Sequence, residues 1–89
     1  MPQLSGGMEI FIMIFEKLQA ILAEQFTMAA SDITETTNFS EDLNADSIDL
    51  VELFMTIEDE FDIGEVSEED ARSITTVGVA VEFIKNRCS

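Results

Sequence analysis

Asp42-Leu43-Asn44-Ala45-Asp46-Ser47-Ile48-Asp49-Leu50-Val51-Glu52-Leu53 takes the chain from an acidic loop into a helix, with one serine at the boundary. Asp46 is a good N-cap, and Asp49 follows three residues later as in a capping box. An apolar-periodic run begins at Ile48, which predicts Ser47 at the first helical position with its hydroxyl exposed. A helix start offers unpaired backbone N–H groups and the positive end of the macrodipole, which suit a phosphate esterified to a hydroxyl there. Two readings stand at this point: a serine that only helps to cap, or one that carries a phosphate or phosphodiester-linked group.

The helix that starts at Ser47 is expected to run to Glu60 or Phe61 and to carry two apolar stripes. Leu50, Leu53, Phe54, Ile57 and Phe61 form a broad arc suited to a core, whereas Ile48, Val51 and Met55 lie on another side among Asp49, Glu52 and Asp59. The second stripe is either a docking face or a surface that a small helical domain buries on its second side.

Upstream, a stretch free of Gly and Pro from Met8 to about Phe26 places Phe11, Phe15 (or Ile14), Leu18, Ile21, Leu22 and Phe26 at helical spacing. Its opening, Ile10-Phe11-Ile12-Met13-Ile14-Phe15, is apolar on every side. A strand competes there, but nothing else in the chain offers a strong partner strand, so helix is preferred, with the excess apolar surface as a candidate self-association patch. From Thr27 to Ala45 the residues turn small and polar, a long loop pinned by Met28, Ile33, Phe39 and Leu43. Downstream, Ile63-Gly64-Glu65-Val66 breaks the helix and Ser67 caps a short one. Thr75 or Thr76 caps a last helix, with Lys85 and Arg87 at the end where its dipole favours cations.

The 89 residues suffice for one small core, and 46% hydrophobic residues with seven Phe are enough to fill it. Residues 1–7 read as a flexible leader or cloning remnant, and residues 8–89 as a single domain. Charge is the strongest compositional signal: 19 acidic against 4 basic residues give a net charge of −15. Thirteen of the carboxylates fall between Glu41 and Asp70, a field that argues against nucleic acid or an anionic membrane and for basic protein partners. Cys88 is alone, so no internal disulfide forms, and a reducing, cytoplasmic setting fits. No signal peptide or membrane span is legible, so no membrane insertion is expected.

Catalysis is not expected. The sequence has no His and no Tyr and a single Cys at its C-terminal end, so the usual nucleophile and base pairs are missing. Asp42, Asn44 and Asp46 sit at the first, third and fifth ligand positions of an EF-hand loop. The rest of that motif fails, because Ser47 stands where Gly is needed and Leu53 where a bidentate Glu is needed. An acidic calcium-responsive interaction module is thus a distant alternative, with weak divalent-ion binding and no dedicated metal site.

Glu41-Asp42-Leu43-Asn44-Ala45-Asp46-Ser47-Ile48-Asp49, followed by Val51-Glu52-Leu53, resembles the attachment segment of the acyl carrier proteins, whose signature is Asp-Leu-Gly-Ala-Asp-Ser-Leu-Asp. Ile21-Leu22-Ala23-Glu24-Gln25, Glu58-Asp59-Glu60-Phe61 and Ile74-Thr75-Thr76-Val77 resemble their bacterial counterparts in order and spacing, so the likeness spans about residues 8 to 86. The resemblance implies an all-α fold, a four-helix acyl-carrier-protein-like bundle of three main helices plus one short helix, with a long loop between the first and second.

It also implies that Ser47, between Asp46 and Ile48, accepts 4′-phosphopantetheine from coenzyme A through a separate phosphopantetheinyl transferase. The arm then carries acyl chains as thioesters to fatty acid synthesis enzymes with basic docking patches. Asp49, Val51, Glu52, Met55, Glu58 and Asp59 match the family's docking positions, and Phe39, Phe54, Ile57, Val66, Ile74 and Ala80 fall where it lines its acyl-sheltering core. A monomer is implied. Specialised carriers of polyketide, D-alanyl or other acyl groups share the serine and the helices, but Glu58-Asp59-Glu60-Phe61 and Ile74-Thr75-Thr76-Val77 lean to the fatty acid branch.

Three departures have structural consequences. Asn44 replaces the usual Gly, which is tolerable if that residue is left-handed. An extra residue near Gly64 lengthens the connection to the short helix, and Gly78 is expected to weaken the last helix by roughly 1 kcal/mol relative to Ala.

Overall fold

The computed structural model describes residues 7–88. It has α1 (Gly7–Gln25), a 3-10 turn (Ala30–Asp32), α2 (Ser47–Phe61), α3 (Glu68–Ser73) and α4 (Val77–Cys88), in that order. The helix periodicity of the sequence is therefore realised, and the apolar run at residues 10–15 is helical. Residues 1–6 of the expected leader lie outside the described residues, and Gly7, assigned to that leader, already belongs to α1. Among the described residues no helix is long and apolar enough to cross a membrane.

The core is one cluster fed by every long element. Ile14, Leu18 and Leu22 come from α1, Leu53, Phe54 and Ile57 from α2, and Val77, Ala80, Val81 and Ile84 from α4, with Ile33, Phe39, Ile63 and Ile74 added by the connections. On α1 it is Ile14, at four-residue spacing from Leu18 and Leu22, that is buried. Phe11, Phe15, Ile21 and Phe26 flank this stripe, half-buried. Ile10 also packs against the core, so most of the apolar opening of α1 is ordinary packing surface. Ile12 and Met13 are its exposed members, at 45% and 65%.

The long loop is pinned as its hydrophobes predict. Ile33 and Phe39 are buried, while Met28 and Leu43 are half-buried. Gln19 of α1 donates from Nε2 to the carbonyls of Ala30 (3.0 Å) and Ile33 (2.7 Å), holding the 3-10 turn against the helix. The loop then joins the start of α4. Phe39 N–H donates to the Thr75 carbonyl, Val77 N–H to that of Thr37 and Gly78 N–H to that of Glu35, around an antiparallel bridge between Asn38 and Thr76. Thr76 is the cap of α4, its Oγ1 accepting from Val79 N–H at 3.3 Å.

Gly78 turns out to be a close-approach position rather than a simple weakness. A Cβ there would lie 3.1 Å from the Glu35 carbonyl oxygen, the same oxygen that the Gly78 N–H reaches at 2.8 Å. Alanine would push on a backbone group that this hydrogen bond holds in place, so its better helix propensity does not decide the site.

Few cations serve this acidic fold. Lys17 Nζ of α1 pairs with Glu60 Oε1 at 3.4 Å and lies 5.7 Å from the centre of the Phe61 ring, linking α1 to the end of α2. Both partners of that ion pair are about half exposed, so the pair contributes little by itself.

Thr27, just past α1, has φ 53°. A β-branched residue is disfavoured in the left-handed region by about 1–2 kcal/mol. Thr27→Gly is therefore expected to stabilise the protein by about 1 kcal/mol, raising Tm by roughly 4–8 °C in a domain of this size; thermal unfolding followed by circular dichroism checks it.

Candidate functional site

The site forms where the loop hands over to α2. Asn38 organises the loop: its Oδ1 accepts from the N–H groups of Ser40 and Glu41, both at 2.9 Å, and its own N–H donates to Asp42 Oδ2 at 2.7 Å. Ala45 N–H then donates to the Phe39 carbonyl, which fixes the far end of the turn to a buried side chain. Asn44 between them has φ 57°, the left-handed conformation that its replacement of Gly requires.

Asp46 is extended, and its Oδ1 accepts from Asp49 N–H at 2.9 Å, while Asp49 Oδ2 accepts from Asp46 N–H at 3.2 Å. This reciprocal box satisfies two of the donors at the helix start, and it engages neither the Ser47 hydroxyl nor the N–H groups of Ser47 and Ile48. Ser47 is the first residue of α2 and is exposed. A phosphate ester on its oxygen therefore meets solvent space, two uncommitted N–H donors and the positive end of a fifteen-residue helix. The residues present fit such a group. Gln25 of α1 steadies this end of α2, its Nε2 donating to the Asp49 carbonyl at 3.0 Å.

The carboxylates of the calcium alternative are turned inward to this same scaffold. Asp42, Asp46 and Asp49 each accept a backbone N–H, and among the described residues no three acidic or other ligating side chains converge on a point that would hold a metal ion.

Below Ser47 the second stripe of α2 lies open. Ile48, Val51 and Met55 are 69%, 58% and 62% exposed, so the domain does not bury them. Glu52 and Asp59 are exposed beside them, and Asp49 and Glu58 are half-buried. The geometry is an apolar stripe bordered by carboxylates along one helix.

The six residues matched to an acyl-sheltering core are split by the structure. Phe39, Ile57, Ile74 and Ala80 are buried in the common core. Phe54, buried in that core as well, and the half-buried Val66 line a cleft of about 250 Å³ between α2 and α3, together with Val51, Met55, Glu58 and Ala71. Two residues that matter here carried no distinct signal in the sequence. Glu58, read as a docking carboxylate, also accepts Val66 N–H on Oε2 at 2.7 Å. Arg87, read as a partner of the helix dipole, reaches back to the connection between α2 and α3.

Comparison with known proteins agrees with this geometry. Residues 16–84 match the family model described as a phosphopantetheine attachment site. The acyl carrier protein of Chlamydia caviae is 46% identical over 72 residues, covering 81% of this chain and 92% of its relative. That of Lactobacillus acidophilus is 48% identical over 73 residues, covering 82% and 90%. Among solved structures, the acyl carrier protein from Enterococcus faecalis superposes with a TM-score of 0.74 at 39% identity, covering 86% of this chain and 96% of that one.

Replacing Asp46 tests the scaffold apart from any modification. Asp46→Ala is expected to destabilise the fold by about 1 kcal/mol, read as a lower urea midpoint with an unchanged slope, and to speed amide exchange at Asp49. An unchanged midpoint would show that the capping box does not hold the start of α2.

Proposed function

The chain belongs to the acyl carrier protein family, and from that premise we propose that Ser47 is the residue to which its 4′-phosphopantetheine is attached. The observation that carries this is the exposed hydroxyl at the first position of α2, with the flanking donors capped by Asp46 and Asp49 rather than by the serine itself. The prosthetic group supplies a thiol that holds acyl chains as thioesters. The chain's own residues hold the ester at a helix start, keep its surroundings open to solvent and present a face for recognition.

In this reading the domain is a cytoplasmic, monomeric carrier, not an enzyme, that takes its arm from coenzyme A through a phosphopantetheinyl transferase and serves the enzymes of fatty acid synthesis. Exposed Ile48, Val51 and Met55 supply apolar contact, and Glu52, Glu58 and Asp59 with Asp49 supply the charge that a basic patch on a partner recognises. The net charge of −15 favours rapid, salt-sensitive encounters with such patches.

Intact-protein mass spectrometry after incubation with coenzyme A and a broad-specificity phosphopantetheinyl transferase tests the attachment. The wild type is expected to gain one phosphopantetheine and Ser47→Ala none; no gain by the wild type, with the transferase active on another carrier, would refute it. For docking, Glu52→Lys is expected to slow association with a fatty acid synthase component bearing a basic patch by about tenfold at low salt, with the difference shrinking as salt is raised. Stopped-flow association rates across a salt series measure this, and equal rates at low salt would remove Glu52 from the docking face.

A further inference from the structure

The opening turns of α1 are a part of the chain that the carrier reading leaves unused. The family match starts at residue 16, whereas α1 starts at Gly7, so Phe11, Ile12 and Met13 all precede it. Phe11 is half-buried against the core, and Ile12, one position along, is 45% exposed. Across from Phe11, α4 presents Gly78, Val79 and Glu82, three positions that share one helix face. Val79 is 42% exposed. Between the two helices lies an open groove of about 460 Å³, lined by Phe11, by Gly78, Val79 and Glu82, and by Glu35 and Thr36 of the long loop.

Gly78 keeps that groove deep. With no side chain, it leaves the floor at the level of the backbone, where its N–H donates to the Glu35 carbonyl at 2.8 Å. A Cβ there would stand 3.1 Å from the same oxygen and narrow the space between α4 and the loop. An aliphatic or aromatic side chain from outside therefore has room between Phe11 and Val79.

Charge at the rim selects the kind of chain that brings it. Glu35 and Glu82 border the apolar floor, and both are exposed. Among the described residues neither is paired with a cation: Lys17 binds Glu60, Arg72 binds Glu68 and Arg87 binds Asp70. An apolar floor between two such carboxylates complements a helix whose apolar face is flanked by Lys or Arg. A second copy of this chain is a poor match, because each copy carries a net charge of −15 and repels the other.

We propose that the groove between α1 and α4 is a second docking site, which takes a basic amphipathic helix of a partner protein and seats one of its apolar side chains over Gly78. None of Ser47, Ile48, Val51 and Met55 lines this groove, so the site is distinct from the outer face of α2 and independent of the carrier reading.

Titration of the isotope-labelled, unmodified full chain with a synthetic helix of Leu and Lys, followed through its amide chemical shifts, tests the site. The peptide is expected to shift Phe11, Thr36, Gly78, Val79 and Glu82. Such a peptide also has carboxylates to meet on α2, so the titration is repeated on Val51→Ser/Met55→Ser, where the groove shifts are expected to persist. Glu35→Gln/Glu82→Gln is expected to weaken the groove response by about tenfold at low salt, with the difference shrinking as salt is raised. Val79→Ser is expected to weaken it at every salt concentration, and unchanged circular dichroism of both groove variants checks that their fold is kept. Shifts confined to α2, groove shifts that vanish in Val51→Ser/Met55→Ser, or a groove response that both groove variants leave unchanged would overturn the proposal. A chain that takes no arm at Ser47 would refute the carrier reading and leave these outcomes as they stand.

Discussion

Phe39 is the pin of the structure. Its side chain is buried in the common core, its N–H is bound to the Thr75 carbonyl just before α4, and its carbonyl receives Ala45 N–H just before α2. One residue thus sets where the long loop meets α4 and where the chain turns toward Ser47. Without that burial the stretch that leads from Thr37 to Ser47 would keep only the half-buried Leu43 and Ala45 as apolar anchors, and the start of α2 would lose its fixed relation to the other helices.

From that pin outward, the domain separates tasks by position. The inner arc of α2 carries Leu53, Phe54 and Ile57 into the core, its first turn carries the capping box, and its outer face leaves Ile48, Val51 and Met55 in solvent. An apolar stripe kept exposed on a domain with so many carboxylates has a cost in solubility that the surrounding charge offsets. The four basic side chains contribute little to screening that charge: Lys17 pairs with Glu60, Arg72 with Glu68 and Arg87 with Asp70, and Lys85 also has a partner. The surface around Ser47 therefore remains acidic.

Local rules were legible wherever a short stretch of chain acts on itself. The Asp46 and Asp49 box, the start of α2 at Ser47, the Ser67 cap of α3 and the left-handed Asn44 each depend on residues within a few positions of one another. Periodicity also located the helices, because the apolar face of each is written at spacings of three and four. It was less able to choose among adjacent apolar residues: Ile14, not Phe15, occupies the centre of the buried stripe, since α1 has apolar residues on every side at that level and the packing of α4 selects among them.

By itself the sequence determined an all-helical domain with an exposed serine at a helix start, since capping and amphipathic spacing act over a turn or two of chain, and its resemblance to the acyl carrier proteins supplied the carrier expectation. Tertiary structure decided the rest: that Thr76 rather than Thr75 caps α4, that Gly78 lies against the Glu35 carbonyl, that Phe54 and Val66 share a cleft while Phe39 and Ala80 do not, and that Glu58 and Arg87 both bind the connection between α2 and α3. Apart from the local Thr76 cap, those contacts join residues from eight to more than forty positions apart in the chain, and only the packing of the helices brings them within reach.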